Sequence, residues 1–309
     1  MGGYMRHIKL NRLLITLTSI LLATAATAGE GDYQSQVSYE YMQRDYSGRG
    51  VTIDQTLNTL TFKHHPDMVN TTNIPLAEAE LFARSARLEF QTSFYGSEDN
   101  DGDKHDGNYQ LFRYVHMQPN TPLYFSALYY TSKTKADLSN PASTDYTYSQ
   151  TGYEIGIGYF IAKYTIAGFF YEESKTTYTP AANYSGNNDT DTELEFAIKH
   201  LVPMSGQSML GLHAVYLKID NSGNKYNKPT SNDRLVFIAD YYFNKSYSIG
   251  MTLDQISGSN NGSNGDEKGI RGQFFFTPKF SLLAELKQFT GSGKSYDKDT
   301  VTLQAALRF

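Results

Sequence analysis

VTLQAALRF, Val301 to Phe309, is the stretch on which the fold of this chain turns. Val301, Leu303, Ala305, Leu307 and Phe309 share one face of an extended strand, and Thr302, Gln304, Ala306 and Arg308 share the other. Alternation over so short a run fits two structures, the edge strand of a soluble antiparallel sheet or the closing strand of a membrane barrel. The rest of the chain separates them.

Composition narrows the field first. The 309 residues are 39% hydrophobic with a mean hydropathy of -0.48, and they include 25 Tyr, 25 Gly and 18 Phe. That balance is too polar for a bundle of membrane-spanning helices. Cys is absent, which rules out a disulfide framework and any thiolate zinc or redox site. Trp is absent too, so an interfacial aromatic belt would be made of Tyr with Phe as apolar filler. The net charge of -5 comes without a concentrated basic face, and nucleic acid is excluded as a partner on that ground.

Residues 1 to 28 read as a cleaved signal peptide. Arg6, Lys9 and Arg12 precede an apolar run over 13–23, and Ala26-Thr27-Ala28 fits the small-x-small cleavage pattern. The run falls short of the ~20 apolar residues that a helical anchor needs. The expected mature chain is therefore a single domain, 29–309, outside the cytoplasm.

Beyond Gly29 the pattern predicts about fourteen strands, with twelve or sixteen as the alternatives. They fall near 33–44, 50–63, 79–95, 108–118, 121–132, 149–162, 164–174, 191–202, 207–219, 233–243, 246–257, 267–277, 279–290 and 299–309. Most are close to the roughly 9 to 11 residues that a tilted strand needs to cross a bilayer. The connections alternate in length. Gln118-Pro119-Asn120, Ala162-Lys163, Asn244-Lys245 and Thr277-Pro278 are tight turns, whereas those following Gly96, Ser132, Glu173, Asp220, Ser257 and Gly291 are long and polar. A soluble sandwich has no reason to place every long loop at one end; an outer-membrane barrel does. One stretch breaks the rule: 64–78 (HHPDMVNTTNIPLAE) stands where a short turn is due. It reads as an enlarged periplasmic turn with a helical piece, or as an extension of the third strand.

A barrel also demands that each apolar face look at lipid and each polar face at a lumen. Phe196 and Ile198 alternate with Glu195 and Lys199, Leu88 and Phe90 with Arg87 and Glu89, and Leu282 and Leu286 with Glu285 and Lys287. The basic pore-lining candidates are Arg44, Arg87, Arg113, Lys199, Arg234, Arg271, Lys287 and Arg308. The acidic ones are Glu40, Glu89, Glu154, Glu193, Glu195, Asp240, Asp254 and Glu285. Bases and acids balance in this set, which predicts weak ion selectivity, because rings of one sign are what set strong selectivity. Strands two, four, five, seven and nine have faces that the sequence leaves unassigned. Two possible metal signals are poor. His64-His65 with Asp67 sits on extended backbone, where adjacent side chains diverge, and in Asp99-x-Asp101-x-Asp103 a Lys104 stands where a calcium loop needs Gly.

The export signal, alternating loop lengths, Tyr-rich strands and a closing strand carrying Leu307 and the terminal Phe309 together resemble the Gram-negative outer-membrane porins, in particular the general porins of Proteobacteria. The resemblance implies an all-β transmembrane antiparallel up-and-down barrel in the outer membrane. It further implies contacts with outer-membrane lipid and lipopolysaccharide, and an assembly machinery that reads Leu307 and Phe309. A homotrimer and a water-filled channel for passive diffusion of small hydrophilic solutes follow as expectations, with no catalytic residue, metal or cofactor. No plug is expected at the N-terminus, since strand one starts close to Gly29. The other readings are a structural or adhesive barrel and a barrel enzyme such as a phospholipase.

Overall fold

A computed structural model describes residues 32–48, 50–117, 121–139, 145–179, 188–222, 230–258, 264–291 and 297–309. The expected signal peptide and its cleavage site, and the short turn at 118–120, lie outside the described residues. The strands are β1 (Tyr33–Gly48), β2 (Val51–Val69), β3 (Arg87–Asp99), β4 (Lys104–Met117) and β5 (Leu123–Asp137). Next come β6 (Tyr146–Ala162), β7 (Thr165–Thr179), β8 (Asn188–Pro203), β9 (Met209–Asn221) and β10 (Thr230–Tyr242). The last four are β11 (Tyr247–Gly258), β12 (Gly265–Thr277), β13 (Phe280–Gly291) and β14 (Asp297–Arg308).

Each strand pairs antiparallel with its neighbours in sequence, and β14 returns to β1, so the sheet closes. Gln36 lies opposite Arg308, Val37 opposite Leu307 and Tyr41 opposite Leu303. Closure removes the two long pairing edges that an open sheet of this width would expose. The outer face carries Phe90, Phe112, Ile155, Phe196, Leu235, Ile249, Ile270, Leu286 and Leu303, all exposed. Large apolar side chains are left in contact with the surroundings over a whole sheet face when those surroundings are lipid. Aromatic rings gather toward the short-turn end, where Tyr241, Phe243 and Tyr247 form consecutive ring pairs, as do Phe274, Phe276 and Phe280. This is the amphipathic belt expected without Trp.

The third strand is the main correction to the sequence reading. β2 runs on to Val69 and β3 begins only at Arg87, so 79–86 is not strand. Between them lie a 3-10 turn, Leu76–Glu78, and a single helical turn, α1 (Ala79–Phe82). Pro75 starts the turn with φ of -54°, a value its ring favours at a helix entry. Ala77, Ala79, Glu80 and Leu81 are good helix formers. Arg84, at φ of 53°, turns the chain out of the helix.

Candidate functional site: the lumen and the segment that fills it

Residues 70–86 touch both sides of a closed ring. Glu80 meets Lys63 on β2 and Arg87 on β3, at 3.1 and 3.4 Å. Glu78 meets Lys199 on β8 at 2.6 Å, and Tyr242 on β10 donates its hydroxyl to Glu78 at 2.5 Å. A segment that reaches β2 and β8 at once lies inside the barrel. Two contacts fix its height. Leu76 donates its backbone N–H to Lys245 in the β10–β11 turn at 3.0 Å, and Arg84 donates to the carbonyl of Thr121, ahead of β5, at 3.4 Å. Both lie at the short-turn end, so the segment spans that mouth from within. The barrel thus has a plug built from an internal connection.

The segment is two-sided. Phe82 belongs to a buried cluster with Val115, Met117, Tyr124, Phe160, Ile166, Leu201 and Tyr242, and Ile74, Ala77 and Leu81 pack against it. The wall of β4 to β9 is therefore an apolar core at this end and not a pore surface. Arg84 lays its guanidinium over the Phe160 ring, 4.3 Å from the centroid. The other side carries Glu78 and Glu80, both buried. Burial raises each carboxyl, but the opposing charges outweigh it. Lys199 and the Tyr242 hydroxyl hold Glu78 below its ordinary range, and Lys63 and Arg87 hold Glu80 far below. Removing one member of such a buried pair typically costs ~3–5 kcal/mol, because the other charge is left uncompensated.

The strand register places every charged candidate on the inner face, opposite the apolar outer set. Most are paired. Arg87 reaches Glu89 at 3.3 Å, Arg113 approaches Glu154 at 3.9 Å, and Lys287 holds Glu285 at 3.0 Å. Arg234 grips Asp254 at 2.5 and 2.9 Å, and Arg271 donates to Asp240 from Nε at 2.8 Å. Arg44 donates to Gln55, and Glu40 accepts from Gln304, each at 3.3 Å. Phe309 lies exposed, as expected of a lipid-side ring. Leu307 does not: it is only 5% exposed, hemmed between its partners Val37 and Phe280.

The register also adds residues that sequence reasoning missed. Glu172, Asp189, Asp191 and Glu267 join the acids on the inner face, and Lys63 and Lys298 join the bases. Glu172 and Lys63 were hidden because β7 and β2 lack a clean apolar alternation, although exposed Phe169 and Phe62 give the parity once known. With these additions the balance of the sequence-derived set becomes local instead of uniform. Glu154 stands directly opposite Glu172, and Glu172 directly opposite Glu193, so β6, β7 and β8 form an acidic wall. Tyr130 donates to Glu172 from that wall's edge at 2.7 Å. Around β12, β13, β14 and β1 the inner face instead holds Arg271, Lys287, Lys298, Arg308 and Arg44, interspersed with Glu267, Glu285 and Glu40.

The two weak metal signals resolve into other contacts. His64 faces Ser35 at 3.0 Å, while His65 is buried against Ser85 and the carbonyl of Ala86, both at 3.1 Å. Asp99 accepts the backbone N–H groups of Asp101 and Asp103 at 2.9 Å, and Asp103 accepts from Ser139. Among the described residues no group of acids and histidines has metal-site geometry.

Between the plug and the wall formed by β10 to β14 and β1 is a polar cavity of about 250 Å³. Gln36, Ser248, Gln273 and Gln304 line it beside Lys63, Lys199, Arg271 and Arg308. Glu78, Glu80 and Asp240 supply its acidic groups.

In sequence the chain matches no protein-family model and no characterised protein. In structure it is similar to several solved barrels. The toluene transporter TbuX of Ralstonia pickettii superposes with a TM-score of 0.56 at 9% identity, covering 91% of this chain and 90% of that one. The outer membrane protein Omp33 of Acinetobacter baumannii gives 0.51 at 14% identity, covering 91% of this chain and all of the other. The β domain of the Bordetella autotransporter BrkA gives 0.50 at 8% identity, again over 91% of this chain and the whole of the other. The class is therefore defined by architecture: a closed fourteen-strand antiparallel barrel of the kind found in outer-membrane proteins.

Proposed function

We propose that this protein is an exported outer-membrane porin, a channel for passive diffusion of small hydrophilic solutes, seen here with its periplasmic end closed by residues 70–86. The observation that carries the reading is the division of the barrel into an apolar outer face and an inner face crowded with charges. Three carboxylates in direct cross-strand succession on β6, β7 and β8 oppose one another, an arrangement that weakens a sheet and that water in a lumen would screen. A channel lining gives such residues a use; a barrel that only holds shape does not. The acidic wall faces a mixed basic one, so net ion preference is modest. Transport requires the plug to leave the mouth.

A barrel of structural or adhesive role is the second reading, and the filled short-turn end favours it. Planar-bilayer recording separates the two. Folded protein, verified by heat-modifiable gel migration, is expected to show rare conductance steps as wild type and frequent ones when Glu78 and Glu80 are both replaced by Gln. Silence from both proteins refutes the channel.

A further inference from the structure

The cations that line the cavity beside the plug are not equally satisfied. Lys199 has Glu78, Lys63 has Glu80, and Arg271 has Asp240. Arg308 forms no ion pair among the described residues; Glu80 feels its charge but is held in contact by Lys63 and Arg87. The one hydrogen bond of the Arg308 side chain there runs from Nε to the neutral Gln36 side chain at 2.9 Å, and Nη1 is left without an acceptor. The residue is only 6% exposed. A guanidinium so far removed from water with no carboxylate in hydrogen-bond contact is costly. It is also fixed in place, because its plane stands over the rings of Tyr33 and Phe275, 4.5 and 4.9 Å from their centroids. Rings on a guanidinium fix its orientation while leaving its edge free to bind.

We propose that this cavity is a binding site for a small organic carboxylate, with Arg308 as the recognition residue. A planar guanidinium matches a carboxylate with two parallel hydrogen bonds, which is the strongest neutralising partner it can take. The cavity supplies the remaining contacts as well. The amides of Gln36, Gln273 and Gln304 and the hydroxyl of Ser248 offer donors and acceptors for hydroxyl or carbonyl groups on the same solute. Its volume of about 250 Å³ accommodates a metabolite of a few carbon atoms and not a sugar oligomer. Lys63, Lys199, Arg271 and Arg308 outnumber Glu78, Glu80 and Asp240 in the cavity lining by one positive charge, which one carboxylate neutralises. The site would hold a carboxylate at the threshold that the plug guards, and so deepens the channel reading by naming a solute class.

The test measures binding and does not require conductance. Full-length protein, folded in detergent, is titrated calorimetrically with succinate at constant ionic strength, with succinamide and sodium chloride as controls. Saturable succinate binding is expected, with none for succinamide and no competition by chloride beyond screening. Arg308→Gln is expected to weaken binding at least tenfold, and Arg308→Lys to retain part of it. Gln273→Trp, which fills the cavity away from the guanidinium, is expected to abolish binding and serves if Arg308 variants fail to fold. No saturable binding by wild type, equal affinity in folded Arg308→Gln, or equal binding of succinamide overturns the site. A protein that binds succinate but never conducts refutes the channel reading alone.

Discussion

Glu78 and Lys199 meet at 2.6 Å inside the barrel, one on the connection between β2 and β3 and the other on β8, across the lumen from where that connection leaves the wall. The pair joins a segment that could leave to a wall that cannot. In the proposed channel this pair is the latch, and its strength sets how often the mouth opens.

Glu78→Gln keeps the shape of the side chain and removes its charge. The seated plug then leaves Lys199 half-satisfied in a buried site, whereas the released plug loses nothing. Opening frequency in planar bilayers is expected to rise at least tenfold, the equivalent of about 1.4 kcal/mol, well within the cost of breaking a buried pair. An unchanged frequency would show that the apolar packing of Phe82 holds the plug alone.

Acidification acts on the same latch. Glu78 and Glu80 are held below the ordinary value near 4.5 when the plug is seated, and return to it when the plug is released. The released state then takes up protons first. The stabilisation of the seated state is complete above about pH 4.5 and is lost as pH falls below that toward the depressed values. Conductance is expected to rise on acidification below about pH 4.5, and this rise should vanish in the Glu78→Gln, Glu80→Gln variant. A rise of equal size in the double variant would assign the effect to other groups.

The acidic wall predicts a selectivity change that leaves the plug alone. Replacing Glu154, Glu172 and Glu193 together by Gln removes the cross-strand carboxylate series. Reversal potentials in a salt gradient, recorded on an open-plug background, are expected to move toward anion preference. A reversal potential that does not move places the ion path elsewhere.

Tyr124 lies over Gly158 and Gly168 on the inner faces of β6 and β7, where a Cβ would collide with its ring at Gly158 and with its hydroxyl at Gly168. Glycine is required here for the close approach of an aromatic side chain. Gly158→Val is expected to destabilise the barrel by about 1–3 kcal/mol, the usual cost of overpacking, and to lower the temperature of the heat-modifiable gel shift. It also undermines the cluster that seats Phe82, so opening should become more frequent. A variant as heat-stable as wild type contradicts the packing argument.

Phe309 closes the ring through its backbone as well as its side chain. Its carbonyl accepts the N–H groups of Gln34 and Ser35 at 3.0 and 2.8 Å, and its own N–H donates to Ser35 at 2.9 Å. Deletion of Phe309 strands these groups at the β1–β14 seam and is expected to reduce the amount of folded barrel recovered from membranes, while the conductance of the folded fraction stays unchanged.

The sequence by itself determined the barrel. Alternation in segments such as Tyr153 to Ile161 and Val301 to Phe309 is local, since a strand's two faces are set by its own residues at a period of two. The order of tight turns and long loops then fixed which ends lie together, and the strand count followed. The same parity argument placed Arg234 and Glu285 on the inner face, and the cost of an Arg in lipid placed Arg113 there; β2, β4, β5, β7 and β9 stayed unassigned, because their polar and apolar residues do not alternate cleanly. Only the tertiary structure decided what the charges do. Glu78 finds Tyr242 at a separation of 164 residues, and nothing in the stretch around Glu78 records that partner, because the contact exists only once the sheet has closed. The stretch 64–78 showed its irregular length but not its direction. Folding inward buries Ile74, Ala77, Leu81 and Phe82 against the β4–β9 wall and gives Glu78 and Glu80 their counter-charges, and both gains depend on residues far along the chain. Arg308 shows the same division. Its place on the polar face of VTLQAALRF was legible from alternation, whereas its position between Tyr33 and Phe275, beside the polar cavity and without a contacting carboxylate, is a property of the assembled ring.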